Sequence, residues 1–352
     1  MGLLGSKRSR STLLHRTHGG LPIHRELNTN LHSKLTVSES LAGPFVVTVT
    51  PLDGKRNQDE DSYRNLIEYY SRAGVKGLTI LGESAERDLL SEAERQRILT
   101  MTFESIGGKL PIVVGTGNES PQLTVQSSIS AQDLGASAVM IPPPRRLKTG
   151  PGVLNEDAIF DYFSSVGDAI EIPIVIQDFP QTDRPKMSPA LIGRLNREIS
   201  NAKYLKLEDP PTPLKLTRIH EIAGDRLKIF SALYGRDSFW DLVHGAVGIM
   251  TSSPTPEYLV AMHDAYVSGD RSKAFDIYLN TLPLIYYCSE LGLAVRKEIL
   301  VKRGVIRTSN MKLPEKELAD SQKKELADVL DWVERAVLSS SGVAPLNPLR
   351  VP

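Results

Sequence analysis

The sequence predicts a (β/α)8 barrel with a helical extension after it. Three observations carry that prediction. About eight strand-then-helix patterns follow one another from residue 45 to residue 268, close to the usual barrel size of about 250 residues. No GxGxxG turn follows the first strand, as a doubly wound dinucleotide-binding sheet would have. The strands carry polar residues at their C-terminal ends, where barrel enzymes keep their chemistry. The expected layout is a barrel over residues 41–270, helices over 271–340 and a tail over 341–352. A segment of residues 1–40 stands outside this fold.

That first segment is basic and poor in acids. Lys7, Arg8, Arg10, Arg16 and Arg25 precede the first acid, Glu26. This is the composition of a mitochondrial transit peptide, and equally of a disordered basic tail. The opening Met1-Gly2-Leu3-Leu4-Gly5-Ser6 also fits the short, common myristoylation pattern. From Gly43 an alternation begins. A β-branched run at 45–49 reads as the first strand, and a helical pattern follows at 58–73. Strand 77–81 precedes helix 91–105, where Ser91 and Glu94 are spaced as a capping box. The third and fourth pairs are 111–115 with 120–134, and 137–141 with 156–170. The fifth and sixth are 172–177 with 188–198, and 203–207 with 212–223. The seventh and eighth are 227–232 with 237–244, and 247–251 with 256–268. Residues 272–304 and 315–339 then read as helices with no strand between them. Leu284, Leu291, Leu293 and Ile299 are among their apolar positions. The serine- and proline-rich end is expected to fray.

Lys+Arg and Asp+Glu both number 42 in 352 residues, a formal net charge of +0. No overall field points to nucleic acid or an anionic membrane as a partner. No apolar run is long enough to span a bilayer. The one cysteine, Cys288, allows no internal disulfide and points to a reducing interior. The expected location is soluble and intracellular: cytoplasmic, or mitochondrial if residues 1–40 act as a transit peptide. His15, His18, His24 and His32 lie in the N-terminal segment. His220, His244 and His263 have no metal-ligand spacing. A metal-dependent hydrolase on the same barrel therefore lacks its ligands, and neither metal nor cofactor is expected.

The chemistry concentrates in Tyr204-Leu205-Lys206-Leu207-Glu208-Asp209, a short apolar strand that ends in charge. Strand alternation puts Leu205 and Leu207 on one face and Tyr204, Lys206 and Glu208 on the other. A lysine inside such a strand is costly unless it has a task. Desolvation favours the neutral amine, which attacks ketones to form a Schiff base. A strand-end lysine whose amine simply reaches water is the plainer alternative. Lys203, three residues back, points to the opposite face. Lys228 opens the seventh strand at its N-terminal end, away from where barrel chemistry sits.

Further pieces fall in order around this strand. Thr79-Ile80-Leu81-Gly82-Glu83-Ser84-Ala85 follows strand two, and Gly115-Thr116-Gly117-Asn118 follows strand three. Gln177-Asp178-Phe179-Pro180 ends strand five, and Gly245-Ala246-Val247-Gly248-Ile249-Met250-Thr251 makes strand eight. In this order they resemble the dihydrodipicolinate synthase / N-acetylneuraminate lyase family of class I aldolases, over residues 43–304. The resemblance implies a (β/α)8 barrel with C-terminal helices, usually assembled as a homo-oligomer, here a dimer or tetramer. It implies a lyase in which Lys206 forms a Schiff base with pyruvate or another 2-oxo acid, with no cofactor. Gly82, Glu83 and Ser84 take the place of the loop that holds the substrate carboxylate on backbone amides. Met250 takes a substrate-side position on strand eight. A plain tight turn accounts for Gly82 equally well, and a helix N-terminus accounts for Glu83.

The sequence departs from the family where protons move. Gln177 stands in place of the catalytic tyrosine, and an amide is neither acid nor base at neutral pH. Ile80 or Leu81 stands in place of the relay threonine. Pro142-Pro143-Pro144 stands in place of the second tyrosine, and Thr182 in place of a carboxylate-gripping arginine. Glu208, Asp178 and Tyr234 are the candidate replacements for the acid and base, with salt bridges and packing as their ordinary alternatives. Two functions follow. One is a Schiff-base aldolase or dehydratase with an altered relay. The other is an impaired family member that binds a 2-oxo acid without turning it over.

Overall fold

The computed structural model describes residues 40–148 and 155–347. The expectations for residues 1–39 and for the tail beyond 347 lie outside the described residues. Eight parallel strands close in sequence order, with β1 pairing back to β8. They are β1 (Gly43–Val47), β2 (Gly77–Ile80), β3 (Ile112–Gly115), β4 (Ala138–Ile141), β5 (Ile174–Asp178), β6 (Ala202–Leu207), β7 (Lys228–Ser231) and β8 (Gly248–Thr251). The helices between and after them are α1 (Glu60–Arg72), α2 (Glu92–Ile106), α3 (Pro121–Asp133), α4 (Glu156–Gly167), α5 (Pro189–Glu198), α6 (Thr212–Ala223), α7 (Ser238–Val243) and α8 (Pro256–Val267). This is the expected barrel.

Local chemistry sets the element ends. Pro173 has no N–H to give a ladder, and β5 starts one residue later, at Ile174. Ser91 caps α2 as its spacing predicts: its hydroxyl accepts from the Glu94 amide at 3.3 Å, and the Glu94 carboxylate accepts from the Ser91 amide at 2.8 Å. The extension differs from expectation. Residues 272–304 are two helices, α9 (Arg271–Glu290) and α10 (Leu293–Lys302). Gly292 lies between them at φ +71, a backbone that side chains resist. A last helix, α11 (Asp320–Ser341), packs on α9.

Alternation along each strand sorts the core into layers. Phe45, Val47, Val175, Tyr204, Phe230 and Met250 fill the bore. Their neighbours Val46, Ile174, Ile176, Leu205 and Leu207 face the helices. The Phe45 and Phe230 rings meet edge to face, centroids 5.3 Å apart. Gly77 makes this possible, because a Cβ there would stand 2.1 Å from the Phe45 ring. Phe239, Ile277, Val295 and Leu330 belong to a second core that joins the extension to α7 and β8. Among the described residues no helix is long and apolar enough to cross a membrane. Nor do three or more of their His, Cys, Asp or Glu side chains gather as a metal set.

One buried carboxylate links this packing to pH. Asp241 on α7 accepts hydrogen bonds from Ser231 at 2.5 Å and Thr212 at 3.0 Å, and its second oxygen has no partner. Burial pushes its carboxyl up to about 7. The folded protein thus holds a proton there that the unfolded chain, titrating near 3.8, has released. The stability this group contributes is fully present below about pH 4 and is lost as pH rises through about 7. Asp241→Asn is expected to remove this loss. In urea unfolding, the variant should gain on wild type by up to about 4 kcal/mol between pH 4 and pH 8. A pH-independent difference would show that Asp241 is ionised throughout.

Candidate active site

The strand ends define a mouth at the C-terminal face of the barrel. A cavity of about 200 Å³ opens there, lined by Glu83, Ser84, Gln177, Lys206, Glu208 and Tyr234 together with Ser252 and Arg296. Tyr204 packs in the bore, so Lys206, two residues on, also points inward. Val175 does the same on β5, and Gln177 follows it. The two strands pair Gln177 directly with Lys206. Lys203 is exposed at an irregularity in that pairing and points away, as expected.

Two polar groups converge on one carboxylate oxygen. The Glu208 Oε2 lies 3.1 Å from the Lys206 amine and accepts a hydrogen bond from the Gln177 amide at 2.8 Å. Lys206 and Glu208 are each 5% exposed and Gln177 is 2% exposed, so solvent screens these contacts little. A carboxylate touching an amine can take its proton and return it, which an amide in the same place cannot do. The Gln177 amide fixes which way the carboxylate faces.

Asp178 and Met250 are not part of this convergence. Asp178 was expected as a nearby acid, but one residue of alternation turns it outward. There it pairs with Lys215 at 2.5 Å, and Lys215 also pairs with Asp209 at 2.9 Å. Burial pushes its carboxyl up to about 6, against the opposing pull of Lys215. Met250 points inward but one layer too deep. It is fully buried in the bore core beneath the cavity and does not line it.

The loop after β2 behaves differently from a plain turn. Gly82 lines a small recess beside the cavity, and Glu83 and Gln177 line both. Leu81 takes a left-handed backbone, φ +55, and so does Tyr234 across the mouth, φ +62. Such residues hold strain that their surroundings must compensate, and they gather at functional sites. Glu83 opens a one-turn helix, Glu83–Ala85, whose first amides have no acceptor within the helix. Burial pushes the Tyr234 hydroxyl above its ordinary value, so it keeps its proton at neutral pH.

Two arginines escaped the sequence reading. Arg184, 7% exposed, pairs with Glu83 at 2.8 Å and donates to the Pro143 carbonyl at 3.0 Å. It lies two residues past Thr182, where the resemblance had looked for an arginine. Arg296 enters from α10, with its guanidinium 5.0 Å above the Tyr234 ring. The glycine at 292 was the available signal, since it breaks a helix that otherwise reads as continuous.

The comparisons with known proteins agree with this fold. The profile of the Dihydrodipicolinate synthetase family matches residues 40–332. L-2-keto-3-deoxyarabonate dehydratase from Azospirillum brasilense is 30% identical over 300 residues, 84% of this chain and 96% of that protein. A 4-hydroxy-tetrahydrodipicolinate synthase from Methanopyrus kandleri is 27% identical over 249 residues, 69% of this chain and 80% of its own length. The crystal structure of dihydrodipicolinate synthase from Rhodopseudomonas palustris superposes with a TM-score of 0.77 at 29% identity, covering 83% of this chain and 97% of that one.

Proposed function

We propose, from the fact that the chain belongs to the dihydrodipicolinate synthetase family, that Lys206 forms a Schiff base with a 2-oxo acid and that Glu208 moves the protons. The observation that carries this reading is the 3.1 Å contact between the Lys206 amine and Glu208, in a site where β5 offers Gln177 instead of a tyrosine. Glu208 takes a proton from the Lys206 ammonium. The amine so freed attacks the keto carbon, and a proton passes from the nitrogen to the oxygen to give the carbinolamine. Glu208 protonates the hydroxyl of the resulting carbinolamine, which leaves as water, and the iminium forms. Glu208 then takes a proton from C3, and the electron pair is held as an enamine. The pair expels the group on C4, which leaves as water when Glu208 returns the proton to it. Water finally hydrolyses the imine and frees the amine.

Similarity to the Azospirillum dehydratase favours this carbon–oxygen cleavage over carbon–carbon cleavage. The amides of Gly82, Glu83 and Ser84 are assigned to the carboxylate beside the keto carbon. Gln177 is a positioning residue for Glu208, and Tyr234 lines the cavity as a further hydroxyl. The working form is proposed to be a dimer or tetramer, which light scattering decides.

The test is exchange of the C3 protons of a 2-oxo acid in D₂O, followed by proton NMR. An enamine must form for exchange to occur, whatever the C4 group is. Wild type should exchange them, and Lys206→Arg should not. No exchange above the buffer rate with pyruvate, 2-oxobutyrate, 2-oxoglutarate or a 3-deoxy-2-oxo sugar acid would leave the chain as a binding protein.

A further inference from the structure

Arg296 is 5% exposed, yet it makes no ion pair among the described residues. Its Nη1 lies 3.4 Å from the Ser84 hydroxyl, and its Nε is buried with no acceptor. The Ser252 hydroxyl lines the same cavity, also buried and also without a partner. The other charges of the cavity are taken. Glu208 faces Lys206, and Glu83 faces Arg184. A cation over the Tyr234 ring offsets only part of the penalty for burying an unpaired guanidinium.

Arg296 is also held in place. Its neighbour Lys297 is fully buried and pairs with Glu86 at 2.6 Å and the Asn310 carbonyl at 2.8 Å. The Glu86 contact bolts α10 to the loop after β2, and Gly292 lets the helix start at that point. A buried arginine with free donors, fixed over a cavity that a second free donor also lines, is built for an anion.

We propose that Arg296 and Ser252 form a subsite for a second carboxylate, so that the favoured substrate is a 2-oxo dicarboxylic acid. The proposal rests on the Schiff-base reading, which places the first carboxylate on the loop amides beside Lys206. Arg296 then sets specificity by binding the far end of the substrate, and Ser252 adds a hydrogen bond there.

Calorimetric binding of 2-oxoglutarate and 2-oxopentanoate tests it, because the two differ only in the distal carboxylate. Wild type should bind 2-oxoglutarate at least about tenfold more tightly. Arg296→Gln should remove that preference, and Arg296→Lys, which keeps the charge, should retain part of it. Equal affinities in wild type would overturn the subsite. So would an equal loss for both acids in Arg296→Gln, which would put the guanidinium on the carboxylate next to the keto carbon. Glutarate and pentanoate, which cannot form an imine, separate this claim from the lysine chemistry. A wild-type preference for glutarate over pentanoate that Arg296→Gln removes supports the subsite even if no 2-oxo acid reacts.

Discussion

Lys206→Arg is expected to lose turnover of any 2-oxo acid by at least about 10⁴-fold, with the fold intact. The substitution keeps the positive charge beside Glu208, 3.1 Å away in the native site. It removes the one thing the mechanism needs, a nitrogen that can be deprotonated and become an imine. Loss through misfolding is distinguished by an unchanged melting curve. Lys203→Arg is the control, since Lys203 is exposed and lies outside the bore. It should keep wild-type kcat and KM. Turnover by Lys206→Arg within about a hundredfold of wild type would contradict the covalent mechanism.

Glu208→Gln is expected to lower kcat by about 10²–10⁴-fold, the usual worth of general acid–base help. The replacement still accepts from Gln177, so the site keeps its shape. KM should change far less than kcat, because the carboxylate works on protons and not on substrate binding. The substrate-independent readout is C3 exchange, which should slow by a similar factor. A kcat within about threefold of wild type would move the proton chemistry to another group, with Tyr234 the next hydroxyl in the cavity.

The barrel and its lysine were legible because their signals are local. Each strand-then-helix unit is a few tens of residues, and alternation along β6 alone carries Tyr204, Lys206 and Glu208 to one face. The family resemblance put Gln177 at the site, and the strand register pairs it with Lys206. What escaped depends on depth or on distant chain. Asp178 was expected as a nearby acid, but alternation one residue past Gln177 turns it away from the bore to Lys215. Met250 faces inward as a strand residue should, but its layer in the bore is set by the stagger of all eight strands. Arg184 lies two positions past the one where an arginine was expected and pairs with Glu83, and loop geometry does not follow a periodic rule. Arg296 comes from a helix beyond the barrel, and only the packing of α10 brings it over the mouth.

The central claim is that one lysine becomes covalently bound to substrate. Borohydride trapping over a panel of 2-oxo acids, read by intact mass and then by peptide mapping, tests it most directly. Reduction should fix one acid per chain, on the peptide that carries Lys206, and the adduct should be absent from Lys206→Arg and present in Lys203→Arg. An adduct that survives in Lys206→Arg, or a wild type that traps none of the acids, would contradict the account and leave a barrel that binds without reacting.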